Sequence, residues 1–371
     1  MKHLVIDARE SGTSTGRYID SLIKYLHPLI TESSEFEVTL LAKPHRLEFL
    51  AGIAPTFTVV PTTHKEFTFA EQIGFKKQIE ALHPDLVHFP AVQQPVWLSR
   101  GQGTKVVTTM QDLTTLRFRN PAKNPVVFTV KQWVYRWVNH RVARQSDLLI
   151  TPSEFVKQDV VAFSGVNPDK ITVTYEAADD LPTPAEPVAE LAGKQFIMYV
   201  GRPTPHKNLE RLIEAFAQLQ KTHPNLYLTL AGKKDANYER IAAGAAAMGV
   251  KQIVFTGFIS DQQLRWMFEN CQVYVFPSLS EGFGLPALEA MQHGAPVASS
   301  NATCSPEIYG DGAQYFDPLS VDNIAAKVGE VLDNPDLRDI LIANGKRKAA
   351  TYSWRRMAEQ TLEVYRKALT S

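Results

Sequence analysis

Residues 277–296 read PSLSEGFGLPALEAMQHGAP. A short apolar run at 273–276 leads into this stretch, and Gly282 and Gly284 punctuate it. Pro286 suits a first helical turn, where its missing N–H would have no partner anyway. Gly294 is placed to end that helix as its C′ residue. Strand, glycine loop and helix make one unit of an α/β sheet. The N–H groups of Phe283, Gly284 and Leu285 then lie at the positive end of the helix, a site for an anion worth about 0.3–1 kcal/mol per charge when exposed. A diphosphate would fit it. Glu281 and Glu289 would repel a diphosphate if they faced it, whereas either carboxylate can accept from two adjacent hydroxyls of a ribose or hexose. The bland alternative is a pair of surface glutamates on an exposed turn.

Residues 201–208, GRPTPHKN, form a second loop of the same kind after an apolar run at 196–200. Arg202 offers a planar fork for phosphate oxygens and Lys207 a point charge. A basic pair in one strand–helix loop says little alone. Beside the 277–296 loop it supplies positive charge opposite a helix N-terminus, which suits a diphosphate leaving group.

The same alternation runs outward in both directions. Strands are expected at 226–231, 253–256 and 295–299, and helices at 207–220, 262–269, 321–332, 335–352 and 353–369. Ser260 and Gln263 have the spacing of a capping box. Toward the N-terminus, strands are expected at 3–8, 36–42, 57–60, 85–89, 105–109, 147–151 and 171–175, with helical patterns at 17–26, 71–82, 124–145 and 153–163. Strands alternating with helices predict parallel sheets. The run 179–193, DDLPTPAEPVAELAG, breaks the composition with proline and acid and reads as a linker. The expectation is therefore two doubly wound domains, 1–178 and 195–352, joined by 179–194 and facing each other across a cleft.

In parallel sheets ligands bind outside the carboxyl ends of the strands. His88 and the Gln111–Asp112 pair fall at such ends. Gly16 follows the first strand in a GTSTG loop that is not a dinucleotide fingerprint, and a glycine there lets the backbone approach a ligand closely.

Lys and Arg together number 39, as do Asp and Glu, and this neutrality gives no argument for nucleic acid. Cys271 and Cys304 are too few for a disulfide framework and lack zinc-site spacing, so reduced thiols in the cytoplasm are expected. The N-terminal apolar run is too short for a signal peptide, and no run approaches the roughly 20 apolar residues of a membrane span. The 124–145 pattern interleaves Phe128, Trp133, Tyr135 and Trp137 with Lys131, Arg136, His140, Arg141 and Arg144. It reads either as a helix lying on a membrane surface or as a core helix with a solvated basic face; the core helix is the expectation.

The pieces GRPTPHKNLERLIEAF, GFISDQQLRWMFENCQVYVFPSLSEGFGLPALEAMQHGAPVASS and PEIYGDGAQYFDPLS resemble the retaining glycosyltransferases of family 4, which have the GT-B fold. The resemblance implies that Arg202 and Lys207 contact a donor diphosphate, that Glu281 holds the transferred sugar, and that Glu289 holds the ribose. Backbone at Phe283, Gly284 and Leu285 would meet phosphate and sugar oxygens, and the loop Gly257, Phe258, Ile259 would lie beside the base. Gly16 would border the diphosphate, with Thr15, Arg17, Tyr18 and His88 on the acceptor side. The helix from Ser353 would cross back onto the first domain. Where the family has a histidine in a pattern like VTIHDL, this chain reads TTMQDL. Gln111 cannot titrate but can position a sugar, and Asp112 follows it. In a front-face substitution the departing phosphate itself takes the acceptor's proton. The resemblance thus implies transfer of a hexose, mannose first, from a nucleotide-diphosphate sugar (GDP ahead of UDP) to a glycan or lipid-linked acceptor. No metal or other cofactor is called for, and the place of action is the cytoplasm or the inner face of the membrane. The rivals are a sugar-nucleotide-binding scaffold, a GT-B-fold epimerase and a phosphorylase.

Overall fold

The computed structural model describes residues 1–370 except 14–15, 67, 99–102 and 119–124, and the side chains of 125–127. Contacts divide the chain into two compact units. Unit 1 comprises Met1–Leu116, Val130–Glu176 and Ser353–Ser371, and unit 2 comprises Arg117–Thr129 and Ala177–Tyr352.

Unit 1 is built on strands β1 (Lys2–Asp7), β2 (Phe36–Ala42), β3 (Thr58–Pro61), β4 (Leu86–Phe89), β5 (Lys105–Thr109), β6 (Leu148–Thr151) and β7 (Ile171–Val173). Their order in the sheet is β3-β2-β1-β4-β5-β6-β7, and every pair is parallel. Runs such as LVHF in β4 and LLIT in β6 are buried throughout, as expected of strands covered by helices on both faces.

Unit 2 repeats the plan with β8 (Phe196–Val200), β9 (Tyr227–Ala231), β10 (Ile253–Gly257), β11 (Val273–Phe276), β12 (Val297–Ser300) and β13 (Ala313–Phe316). The order is β10-β9-β8-β11-β12-β13, again parallel. The direction of winding reverses between β1 and β4 in unit 1 and between β8 and β11 in unit 2. Such a switch opens a crevice at the carboxyl ends of the two strands. In unit 2 those strands feed the GRPTPHKN and PSLSEGFG loops.

The helix Trp354–Thr370 belongs to unit 1. Its Trp354, Met357, Tyr365 and Ala368 are buried, and its Arg366 Nε donates to Glu35 at 2.8 Å.

Several elements differ from expectation. The 71–82 helix splits into a π-helical turn Glu71–Phe75 and a short helix Lys76–Glu80, with Glu71 turned inward onto Arg9 at 2.8 Å. Strand β13 and the helices Leu47–Ile53, Ala236–Ala247 and Ser305–Tyr309 lie where no element was expected. The 179–194 segment is fastened to unit 2 rather than free: Arg265 Nη1 donates to Leu181 O at 2.6 Å, Leu181 N donates to His293 Nε2 at 3.2 Å, and Glu186 N donates to Gln262 O at 3.1 Å.

Candidate functional site

In unit 2 the two loops at the switch point are tied together. The β8 loop turns through the short 3-10 helix Pro205–Lys207 and reaches the helix Leu209–Leu219 through Asn208, which is left-handed at φ 61°. Asparagine tolerates that conformation better than most side chains. Its buried amide donates to Pro277 O at 3.1 Å and to Pro318 O at 2.7 Å. Leu279 N donates to His206 O at 2.7 Å. The loop after β8 and the loop after β11 therefore hold one geometry jointly.

That geometry brings Lys207 to Glu281. Nζ donates to Oε1 at 2.5 Å, and the two side chains are only 16% and 13% exposed. Glu281 is held from behind: its N–H donates to Thr303 Oγ1 at 3.2 Å, and its carbonyl accepts from Cys304 Sγ at 3.4 Å. Burial, Glu281 and Glu307 push the Cys304 thiol well up, so it stays protonated and unreactive. His206 is pushed down to about 4, first by burial and then by the Lys207 charge, with Glu281 opposing. It is neutral at pH 7. Its ring lies 5.9 Å from that of Phe118.

The second half of the site is the helix Leu285–Gln292. Gly284 precedes it at φ 87°, in a region closed to most side chains. A Cβ there would sit 2.0 Å from Tyr309 Oη, and that hydroxyl donates to Gly284 O at 2.8 Å. The glycine is required both by its dihedral and by its neighbour. Phe283 is buried edge-on to Tyr352 with ring centroids 5.5 Å apart. Leu285 and Pro286 at the helix start are half-buried.

Of the other residues expected here, Arg202 is exposed beside Lys207 in sequence. Gly257 ends β10 at φ 74°, Phe258 after it is 89% exposed, and Ile259 is half-buried. Glu289 is drawn inward and only 2% exposed; burial first, and then the Glu289 charge, raise the Tyr274 hydroxyl. Asn208, Thr303 and Tyr309 shape the site without having been singled out. A polar residue that must take a left-handed turn at a strand–helix loop is visible only in the backbone, so the sequence carries no clear signal for it.

Unit 1 treats its expected site residues differently. His88 has no exposed surface. Its Nδ1 shares a hydrogen bond with Tyr365 Oη at 2.7 Å and its Nε2 with Thr109 Oγ1 at 2.9 Å. Burial lowers it from 6.5 to about 3. Tyr18 is also buried, its hydroxyl 3.1 Å from Thr109 Oγ1. Both were expected on the acceptor side; instead they form an internal polar network that seats the helix Trp354–Thr370. Arg17 is half-buried. Gly16 opens the helix Gly16–Ser33, and a Cβ on it would meet Glu10 O at 2.3 Å. The close approach it permits is thus to its own chain. Thr15 lies outside the described residues. Asp112 Oδ1 accepts from Thr114 N at 2.7 Å, capping the 3-10 turn Thr114–Leu116. Gln111, just past β5, has a buried Nε2 without a hydrogen-bond partner among the described residues.

Comparisons with known proteins agree with this layout. The family model described as Glycosyltransferase Family 4 matches residues 15–180, and the one described as Glycosyl transferases group 1 matches residues 185–348. The O-antigen chain mannosyltransferase B of Escherichia coli is 31% identical over 240 residues, 61% of this chain and 62% of that relative. The MMP alpha-(1->4)-mannosyltransferase of Mycolicibacterium hassiacum is 33% identical over 251 residues, 64% of this chain and 60% of that relative. The matched stretch thus spans less than two thirds of these relatives. Among solved structures, sucrose-phosphate synthase from Thermosynechococcus elongatus superposes with a TM-score of 0.77 at 18% identity over 99% of both chains. Anabaena HepE in complex with UDP-glucose superposes with a TM-score of 0.75 at 17% identity, over 99% of this chain and 100% of that one. The fold is that of the GT-B glycosyltransferases, two parallel-sheet Rossmann-like domains.

Proposed function

Since the chain belongs to the glycosyltransferases of group 1 and family 4, we propose that it moves a hexose, mannose in the first instance, from a nucleotide-diphosphate sugar to a glycan or lipid-linked acceptor, with retained anomeric configuration. The observation that carries this reading is the Lys207–Glu281 pair, mostly buried at the switch point between β8 and β11. A diphosphate arriving there competes for Lys207. Glu281 is then left as an acceptor for sugar hydroxyls, its backbone already fixed by Thr303 and Cys304.

Arg202 and the N-terminus of the helix Leu285–Gln292 add positive charge for the leaving diphosphate. In this reading these groups carry the neutralisation, and transfer is independent of a metal. Charge stabilisation of this sort is commonly the largest part of catalysis. Phe258 offers an exposed ring to the base, and Glu289 is assigned to the ribose. Gln111, with its unpartnered amide donor, is assigned to a sugar hydroxyl. It holds position and moves no proton; the departing phosphate takes it. The mannosyltransferase relatives favour mannose, and the solved UDP complex keeps UDP-sugars as the second donor class.

The test is release of nucleotide diphosphate from GDP-mannose, UDP-glucose and ADP-glucose, with thermal shift as a parallel measure of binding and a chelator arm for the metal. The expected result is binding and turnover of one donor, unaffected by chelator, and loss of turnover in Glu281→Ala with the fold intact. Binding without turnover would favour a sugar-nucleotide-binding scaffold. Full activity in Glu281→Ala would overturn the site.

A further inference from the structure

The helix Pro125–Gln145 has two apolar faces, and only one is used. Tyr135, Asn139, Val142 and Ala143 turn toward unit 1, where Ala143 lies in a core cluster with Leu149, Val156 and Val160. On the opposite side Val130, Trp133, Val134 and Trp137 follow the i, i+3, i+4, i+7 spacing of a single helical stripe. All four are exposed, Trp133 by 70%. Exposed Trp97, from the loop after β4, meets Trp137 with ring centroids 5.8 Å apart and widens the stripe. The expected core helix is thus a core helix on one side only.

The charge on this helix is one-sided as well. Its sequence, PVVFTVKQWVYRWVNHRVARQ, contains Lys131, Arg136, Arg141 and Arg144 and no acidic residue, although the whole chain balances 39 basic against 39 acidic. At 100° per residue, Arg141 and Arg144 continue the apolar stripe toward the helix C-terminus. Both are exposed. Among the described residues neither has a salt-bridge partner within reach.

We propose that this face docks on the surface of a lipid bilayer rich in anionic headgroups, with the tryptophans and valines entering the interface and the arginines meeting the headgroups. Tryptophan is enriched at that depth, and arginines beside an inserted apolar stripe are attracted to anionic headgroups. Charge selects this occupant over a second copy of the chain. In a two-fold contact through the same face Arg141 and Arg144 would meet the same helix of the second copy, which has no carboxylate to pair with them. No helix among the described residues is long and apolar enough to cross a membrane, and the docking proposed is that of a face lying on the surface. The proposal does not depend on the transferase reading, because docking can be measured without any donor.

The test is flotation of the full chain with vesicles of phosphatidylcholine alone and of phosphatidylcholine mixed with phosphatidylglycerol, at low and high salt. The wild type should float with the anionic vesicles, about tenfold less with the neutral ones, and less again when salt screens the headgroups. The doubles Trp133→Ser/Trp137→Ser and Arg141→Glu/Arg144→Glu should each lose flotation by about tenfold while keeping the wild-type circular dichroism and melting point. The arginine pair guards against a trivial loss of fold in the tryptophan pair. Wild type that stays at the bottom with anionic vesicles would overturn the proposal. So would variants that float like wild type, or a concentration-dependent dimer in sedimentation velocity that the tryptophan substitutions abolish.

Discussion

The two sheets wind the same way, yet their strand ends use polar residues in opposite fashion. In unit 1 Arg9 is buried with a bidentate hold on Asp7, a second carboxylate in Glu71 at 2.8 Å, and the face of Phe75 3.7 Å from its Cζ. His88, Thr109, Tyr18 and Tyr365 satisfy one another nearby. In unit 2 the corresponding ends present Arg202 and Phe258 to solvent, and their ion pair keeps an accessible edge. The lesson is that position at a strand's carboxyl end marks where a ligand can bind, while the partners and burial of the polar groups there decide which of them a ligand could reach. Gln111 keeps a buried donor without a hydrogen-bond partner among the described residues, as do the hydroxyls of Thr62 and Thr174 after β3 and β7.

The largest effect should come from breaking the saturated side. Arg9→Ala takes the guanidinium away from the buried carboxylates of Asp7 and Glu71, and loss of one partner from such a cluster costs about 3–5 kcal/mol. Chemical denaturation should show that loss, or no folded protein at all. A loss below about 1 kcal/mol would mean that the cluster is not saturated in the way described.

Next comes the open side. Lys207→Met should lower kcat/KM for the preferred donor by about a hundredfold, in the range found for removing one charge-stabilising donor, with a far smaller change in melting point than Arg9→Ala. The reverse ranking, little kinetic loss and a large fall in stability, would move Lys207 to the structural class.

His88 gives a finer test. The unfolded chain takes up a proton near 6.5, whereas folded His88 resists one down to about 3. The unfolded state therefore binds more protons across that window, and stability falls as pH falls through it, by up to about 1.4 kcal/mol per pH unit. His88→Gln should melt lower at pH 7 but lose less on acidification. Parallel curves for the two proteins would refute the assignment.

Smallest of all is Arg366→Ala. The Arg366–Glu35 pair is well exposed on both sides, and such pairs contribute under about 1 kcal/mol. The loss should shrink further in high salt.

Much of this was legible in the amino-acid order. The apolar runs at 36–42, 105–109, 196–200 and 273–276 mark strands because a sheet buried on both faces demands unbroken apolar stretches. The loops after β8 and β11 were legible because glycine and proline are forced by turn geometry. The order of strands in each sheet was not, since nothing local says which runs become neighbours. Nor was the fate of His88 and Tyr18: a polar residue at a strand end looks alike whether it faces a ligand or a tyrosine brought from position 365. The outward stripe of the Pro125–Gln145 helix stayed the second of two readings for a related reason. Apolar residues on two opposite faces blur the period of 3.6 and read as one buried helix.

The return of the helix Trp354–Thr370 to unit 1 sets an order of events during synthesis. Strands β1 to β7 leave the ribosome long before Tyr365 exists to cover His88. The larger part of unit 2, Ala177–Tyr352, is translated in between, while the first sheet waits with an uncovered polar seam. Domains commonly form in the order in which they emerge; here the unit begun earlier is completed later. A chain ending at residue 352 and released from the ribosome should hold a finished second unit and an unfinished first one.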